Sequence, residues 1–493
     1  KGIFVPGQFY FDEIMVIFMA VMITDILLLD FFNTLGLPTS TTVSVVFNLL
    51  GAAVVMSCIK ISKSDTETLA NLAEYINTAK AFEIIMGILL SVLIAFTIGA
   101  LVQWISRLVF TFHFKDKMKH FGAVFGGIAL AAIGYFIFMK GLKGTPYYDD
   151  FKDIIEGNEL VILGSSFVFF TLFSYAFQKI FKKSILIIVI AVGTFGLALA
   201  FSGNDLVNFI GVPMAAYHSY EFWAASGVDA SLFSMEILEK KVPAEPLLLF
   251  IAGAIMVITL WFSKKAKTVA ETEISLSRQG ETHEKFEPNM LSRLIVRGTT
   301  GLSFGLGKVI PAAAQEKINK SFQKPDTKAL TKDQSINAPA FDMIRASVNL
   351  MVAGVLISIA TTMKLPLSTT YVTFMVAMGT SLADRAWGRE SAVYRVAGVL
   401  NVIGGWFFTA IGAFIACGVV VFLIQWNKEI MTPILLLLTV LLLVRNYLSH
   451  KKKSEISLDP SKLKKSESST VQGIISESAD NISNVISRTN KIY

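Results

Sequence analysis

Leu37-Pro38-Thr39-Ser40-Thr41-Thr42 returns as Leu365-Pro366-Leu367-Ser368-Thr369-Thr370, offset by 328 residues. At that offset Thr34 also matches Thr362 and Gly51 matches Gly379. Phe11-Asp12 and Phe341-Asp342 open the apolar stretches that precede the two copies. The proline ends the preceding helix, because the residue before it is biased away from α geometry. Ser or Thr then caps the next helix. A helix start of this kind offers free N–H groups, hydroxyl donors and the positive end of a macrodipole, which together bind phosphate or another oxyanion without a lysine. For one copy, hydroxyls bonded back to the i−4 carbonyl or to a neighbouring helix would explain the pattern. Two copies in corresponding places favour a binding site.

The flanking sequence places both copies in a bilayer. The 493 residues are 53% hydrophobic and 16% charged, against about a quarter charged in soluble domains. Apolar runs at 11–35, 39–59, 81–112, 119–141, 159–180, 184–202, 245–263, 341–363, 367–385, 391–425 and 430–447 have the length that crosses a hydrocarbon core of about 30 Å. Residues 203–220, interrupted by Gly203, Gly211 and Pro213, read as a discontinuous or re-entrant segment. The 391–425 run, dotted with glycine, is expected to kink or to pack closely. A net charge of +7 reflects basic cytoplasmic loops rather than nucleic-acid binding. Lys115, Lys117 and Lys119, then Lys179, Lys182 and Lys183, the 263–340 segment, and Lys451 to Lys453 all fall on one side if 203–220 does not fully cross. The spans before the two Ser-Thr-Thr copies then run in opposite directions. The predicted fold is therefore an all-α polytopic transmembrane bundle with inverted-topology repeats and broken helices, the organisation of alternating-access transporters. Cys58 and Cys417 suggest neither a disulfide framework nor a thiolate site, and the five histidines form no ligand-spaced cluster; no cofactor is predicted.

A second motif, Gly203-Asn204-Asp205-Leu206-Val207-Asn208, follows a strongly apolar span. An ionisable group there is costly unless it is paired or ligating. Carboxylate and amide oxygens from Asp205, Asn204 and Asn208 suit a hard monovalent cation such as Na⁺. An Asp capping a helix at the interface is the competing explanation. Asp25, Asp30 and Asn33 also lie in an apolar span, where they line the pathway, take part in coupling, or serve as structural hydrogen-bonding groups. Repeat symmetry does not support them: Asp25 maps onto Ala353 and Asp30 onto Ser358. Arg385, Arg389 and Arg395 read as marking the cytoplasmic edge.

These residues resemble the inorganic phosphate transporter (PiT) family, which carries a Gly-x-Asn-Asp-x-x-Asn motif and a Pro-x-Ser-Thr-Thr motif in each half. GNDLVN resembles the second-half copy of the former, and PTSTT and PLSTT the two copies of the latter. The first Asn-Asp-x-x-Asn copy is absent and is expected upstream of Lys1; the histidine that often follows Ser-Thr-Thr is replaced by Val43 and Tyr371. The resemblance implies phosphate contacts from Ser40, Thr41, Thr42, Ser368, Thr369, Thr370 and Asn208, with a coupling Na⁺ (or H⁺) at Asp205. It implies residence in the plasma or inner membrane, and leaves a homo-oligomer open. The expected organisation is a first repeat over 1–180, the start of a second over 181–263, and a cytoplasmic loop over 264–340, polar at 264–290 and amphipathic from Leu291 to Ile310. The second repeat resumes over 341–447, and the tail at 448–493 is reminiscent of the first helix of a PhoU-like regulatory domain. Sulfate is the rival oxyanion, although phosphate keeps a donor hydroxyl that an Asp205 carboxylate could accept. A membrane-embedded phosphatase-type enzyme would need a nucleophile, a base and a basic or metal clamp, and no histidine stands near either Ser-Thr-Thr copy; a phosphate sensor is the third alternative.

Overall fold

The computed structural model describes residues 2–139, 157–240, 245–278, 287–307, 311–323, 341–363, 365, 367–385 and 391–457. Pro366, Arg389 and the tail beyond 457 lie outside them.

The first break is assembled from local signals. Helix α1 (Phe11–Leu35) starts where Glu13 accepts from the Tyr10 N–H at 2.9 Å and ends at Gly36, whose left-handed φ of 66° lets its N–H turn back to the carbonyls of Asn33 and Phe32. Helix α2 (Thr41–Lys63) starts at Ser40, whose Oγ accepts from the Val43 N–H at 3.2 Å. Then come α3 (Thr78–Phe110), α4 (Phe114–Ala132, extended by a π-helical segment Ile133–Met139), α5 (Glu159–Phe181), α6 (Leu186–Ser226) and α7 (Pro246–Phe262). The connecting segment holds α8 (Lys264–Ser277), α9 (Met290–Gly307) and α10 (Ala312–Ser321). Helix α11 (Met343–Thr362) leads to the second break, α12 (Thr369–Ala383) starts at Ser368, and α13 (Ser391–Trp426) follows. The chain divides into two compact units, residues 1–431 and 432–493; helix α14 (Lys428–Ser457) supplies all that is described of the second. Among the described residues nine helices are long and apolar enough to cross a membrane. The protein is an integral, multi-pass membrane protein.

The two breaks are built alike. α2 packs along α13 and α12 along α3. A Cβ on Gly51 would lie 2.1 Å from the Phe414 carbonyl oxygen, and one on Gly379 would lie 2.2 Å from that of Phe96. These glycines let backbone meet backbone, as small residues do in membrane helix pairs. Where α3, α11 and α12 meet, Arg107 grips Asp384 through Nε and Nη2 at 2.8 and 2.7 Å and reaches Asp342 at 2.8 Å, with Gln103 also donating to Asp384. This two-pronged, fully buried pairing is the strong form of the carboxylate–guanidinium contact.

Two expectations are corrected. Residues 203–220 do not break: α6 runs through Gly203, Gly211 and Pro213 for 41 residues. Each glycine costs about 1 kcal/mol and the proline about 3. An unwound segment in hydrocarbon would leave several backbone groups unsatisfied at several kcal/mol each, so the helix continues. The 184–202 and 203–220 stretches are thus one element, which is why the count of crossings closed without the second. Residues 264–277, expected to be a polar connector, form a helix packed on α1, α12 and α13. The Thr272 hydroxyl donates to the Gly36 carbonyl at 2.8 Å, an acceptor that the end of α1 leaves open. The stretch from Leu291 falls in helix α9 as far as Gly307. Arg395 is buried and donates to the Arg278 carbonyl just beyond α8.

Gly51→Ala or Gly379→Ala should lower stability by about 1–3 kcal/mol through overpacking, seen as a reduced unfolding midpoint in detergent. Gly164→Ala, where nothing lies within 4 Å, should leave that midpoint within error. Burial pushes the Glu273 carboxyl on α8 up to about 7. The docked helix therefore holds more protons than a released one, and its docking should be strongest below about pH 4.5 and weaken as pH rises to about 7. Hydrogen exchange over 269–277 should accelerate across that window, and Glu273→Gln should abolish the pH dependence.

Candidate functional site

The two helix starts meet on one turn of α6. Asn208 donates through Nδ2 to Thr42 Oγ1 at 2.7 Å and, more weakly, to Thr41 Oγ1 at 3.4 Å, both on the first Ser-Thr-Thr. Asp205, three residues earlier, faces the second: the Thr369 hydroxyl lies 3.0 and 2.9 Å from its two carboxylate oxygens. Asn204 donates to Asp205 at 3.2 Å and reaches the Leu367 carbonyl at 3.4 Å. Ser40 and Ser368 are each 1% exposed and perform the same task, Ser368 Oγ accepting from the Tyr371 N–H at 3.1 Å. Two motifs 328 residues apart are therefore bound to a third by direct side-chain contacts, with Ser40, Thr42, Asn208, Ser368 and Thr369 buried.

A sequence model of the phosphate transporter family matches residues 1–276. The chain belongs to the phosphate transporter family. Among solved structures, one described as the sodium-dependent phosphate transporter matches with a TM-score of 0.51 at 17% identity, covering 87% of this chain and 84% of its own; that likeness shows a shared fold. No curated protein matches the sequence. The protein is a phosphate transporter and not an enzyme.

Within this transporter the remaining candidates are placed unevenly. Thr370 is half-buried in the first turn of α12, and its carbonyl accepts from Thr373. On α1, Asn33 gives its carbonyl to the Gly36 N–H and Asp30 gives its carbonyl to the Thr34 hydroxyl. Asp25 accepts hydrogen bonds from Ser44 and Asn48 on α2.

Sequence reasoning missed α13. The Trp406 indole N–H donates to the Pro38 carbonyl at 3.1 Å, and its ring stacks on Tyr371 with centroids 3.7 Å apart. Thr409, one turn on, shares a 2.8 Å hydrogen bond with Thr39. Trp406 thus ties the carbonyl of one break to the helix start of the other. The available signal was a tryptophan in mid-span, where its N–H needs a partner. Tyr371, at the position where the family often has histidine, supplies the stacking face.

Trp406→Phe retains a ring for Tyr371 but orphans the Pro38 carbonyl. It should cost about 1–3 kcal/mol of stability and lower phosphate uptake. Trp406→Ala should be worse in both, since about 3–5 kcal/mol accompanies loss of a buried aromatic ring. Thermal unfolding and proteoliposome uptake on the same preparations would test the order.

Proposed function

We propose that the protein imports inorganic phosphate together with Na⁺ by alternating access of two inverted halves. Phosphate docks on the starts of α2 and α12, held by the amides and hydroxyls of Ser40, Thr41, Thr42, Ser368, Thr369 and Thr370, with Asn208 beside it. Na⁺ binds at Asp205, with Asn204 and Asn208 as neutral oxygen donors. The observation that carries this reading is the single α6 turn that joins both helix starts to a carboxylate. The sodium dependence named for the similarly folded protein favours Na⁺ over H⁺.

Coupling follows from the Thr369–Asp205 contact. Without a cation, the Thr369 hydroxyl points its proton at the carboxylate, and the negative charge repels an incoming oxyanion. At about 5 Å and an effective dielectric of about 20, that repulsion is about 3 kcal/mol, or roughly 200-fold in affinity. A cation on Asp205 cancels the repulsion and frees the Thr369 hydroxyl to turn toward phosphate. Each half then carries one helix start, so rocking one against the other exposes the anion alternately to the two sides. Entry against an inside-negative potential costs about 2.3 kcal/mol per charge per 100 mV, so the cations must at least match the charge on phosphate.

Asp205→Asn should make phosphate binding independent of Na⁺ and abolish Na⁺-driven uptake in proteoliposomes. Normal gradient-driven uptake by this variant would refute the role. Running the assay with the Na⁺ and H⁺ gradients imposed separately identifies the coupling ion. Ser368→Ala should weaken phosphate at least fivefold, and unchanged affinity would count against docking on α12. Excess sulfate should compete poorly.

A further inference from the structure

Away from the helix starts, α4 and α5 enclose a cavity that phosphate transport does not use. The two helices pack closely because α4 offers glycines. A Cβ on Gly122 would lie 2.4 Å from Gln178 Nε2, one on Gly126 2.6 Å from Ser174 Oγ, and one on Gly127 2.0 Å from Thr171 Oγ1. Toward the start of α4 the glycines give way to Met118 and Phe114, and there a cavity of about 520 Å³ lies between the helices. A small ligand fits in that volume. Lys119 lines it from α4, and Lys179, Lys182 and Lys183 line it from the end of α5 and the turn that follows.

The cavity is basic on one side and apolar on the other. Lys119 reaches Asp116 at 3.4 Å, with side chains 76% and 91% exposed, a weak surface pair. Among the described residues Lys179, Lys182 and Lys183 form no ion pair with a carboxylate. Lys182 closes α5 with a left-handed φ of 53°, a helix-end conformation that glycine ordinarily takes. A lysine there strains the turn and brings a charge to the cavity. Lys179 Nζ lies 5.6 Å from the centre of the Tyr175 ring, and lysine and tyrosine are the anchors of a membrane surface. The apolar window of α5 is only 6% buried. Val168, Leu172 and Tyr175 on it are all exposed and share one helical stripe with Lys179. A soluble anion would meet the lysines alone, whereas a phospholipid meets lysines for its phosphate and an apolar wall for its chains.

We propose that this cavity binds an anionic phospholipid, its headgroup phosphate on Lys179, Lys182 and Lys183 and its acyl chains along the exposed stripe of α5. Basic pockets between membrane helices recognise such headgroups, and each lysine near the surface contributes roughly fivefold in affinity. The chemistry recognised is a phosphate ester, which soluble phosphates share; the apolar stripe commits the site to the lipid-borne form. Met118, which lines the cavity, belongs to one buried cluster with Ile185 and Leu186 at the start of α6. A bound lipid therefore steadies the junction between the α4–α5 pair and the helix that carries Asp205 and Asn208. The site needs neither Na⁺ nor transported phosphate, so it stands apart from the coupling mechanism above.

Dioctanoyl phosphatidylglycerol and dioctanoyl phosphatidylcholine are titrated onto the purified full chain in detergent. Displacement of the bound lipid by inorganic phosphate, and by glycerophosphoglycerol, the headgroup without acyl chains, is measured alongside. Wild type should bind phosphatidylglycerol at least tenfold more tightly than phosphatidylcholine, and its unfolding midpoint should rise with phosphatidylglycerol concentration. Both soluble phosphates should compete at least tenfold more weakly than the lipid. Lys179→Gln, Lys182→Gln and Lys183→Gln should each weaken phosphatidylglycerol roughly fivefold, and the triple variant roughly a hundredfold. Lys117→Gln, exposed on the first turn of α4 but outside the cavity, should change affinity less than about twofold. Lys182→Gly removes the charge and relieves the left-handed turn. It should raise the lipid-free midpoint while weakening lipid binding, and it keeps the test decisive if the triple variant fails to fold. Equal affinity for the two lipids, or unchanged binding in the lysine variants, would overturn the proposal. So would equal weakening by Lys117→Gln, which would reduce the effect to diffuse surface charge, or displacement by glycerophosphoglycerol as effective as by lipid, which would make this a site for a soluble anion.

Discussion

The constraint on which the architecture depends is that backbone N–H and C=O groups have no water to bond in hydrocarbon. A helix broken at membrane depth is tolerable only if its loose ends are met by other groups. At the first break the Gly36 carbonyl is met by Thr272, the Pro38 carbonyl by Trp406 and the Val43 N–H by Ser40. At the second, Ser368 meets the Tyr371 N–H and Asn204 reaches the Leu367 carbonyl. What these partners leave over is a pair of helix starts, donor-rich and buried. The groups that make the breaks stable are also the ones that fix their positions relative to each other.

The same constraint explains why α6 is continuous. A second broken element between the two starts would have needed its own set of partners. As an unbroken helix, α6 instead offers three side chains from one turn, with Asp205 and Asn208 directed at different motifs. Its proline and glycines are absorbed at a few kcal/mol, less than unwinding would cost.

Much of this was legible in the chain. The Pro-x-Ser-Thr-Thr pair carries its own capping chemistry, so both helix starts, and Gly51 and Gly379 one face along, could be located from spacing alone. The carboxylate of Asp205 announced itself by its apolar surroundings. Contacts that depend on the arrangement of helices were not legible. Nothing local says that Trp406 reaches back 368 residues to Pro38. Thr272 sits in a polar stretch whose amphipathic character has meaning only once the end of α1 lies beneath it. Gly203 and Pro213 misled because breaker rules derived in water understate how strongly hydrocarbon enforces helix.

The placement of charge bears on how such a carrier can release its cargo. A lysine or arginine at the helix starts would hold an oxyanion in both conformations, and transport requires a site weak enough to empty. Arg107 is instead engaged with Asp384 and Asp342 where α3, α11 and α12 meet, and Arg395 with the Arg278 carbonyl. In the proposed cycle the helix starts supply dipoles and hydroxyls, which are directional but neutral, and exchangeable cations supply the charge. When the ions leave into a compartment poor in them, Asp205 recovers its negative charge and the Thr369 hydroxyl returns to it. The oxyanion then loses a donor and gains a repulsive neighbour in one step. A fixed carboxylate paired with a mobile cation thus links loading and unloading of the anion to the ion gradient without a fixed positive charge at the site.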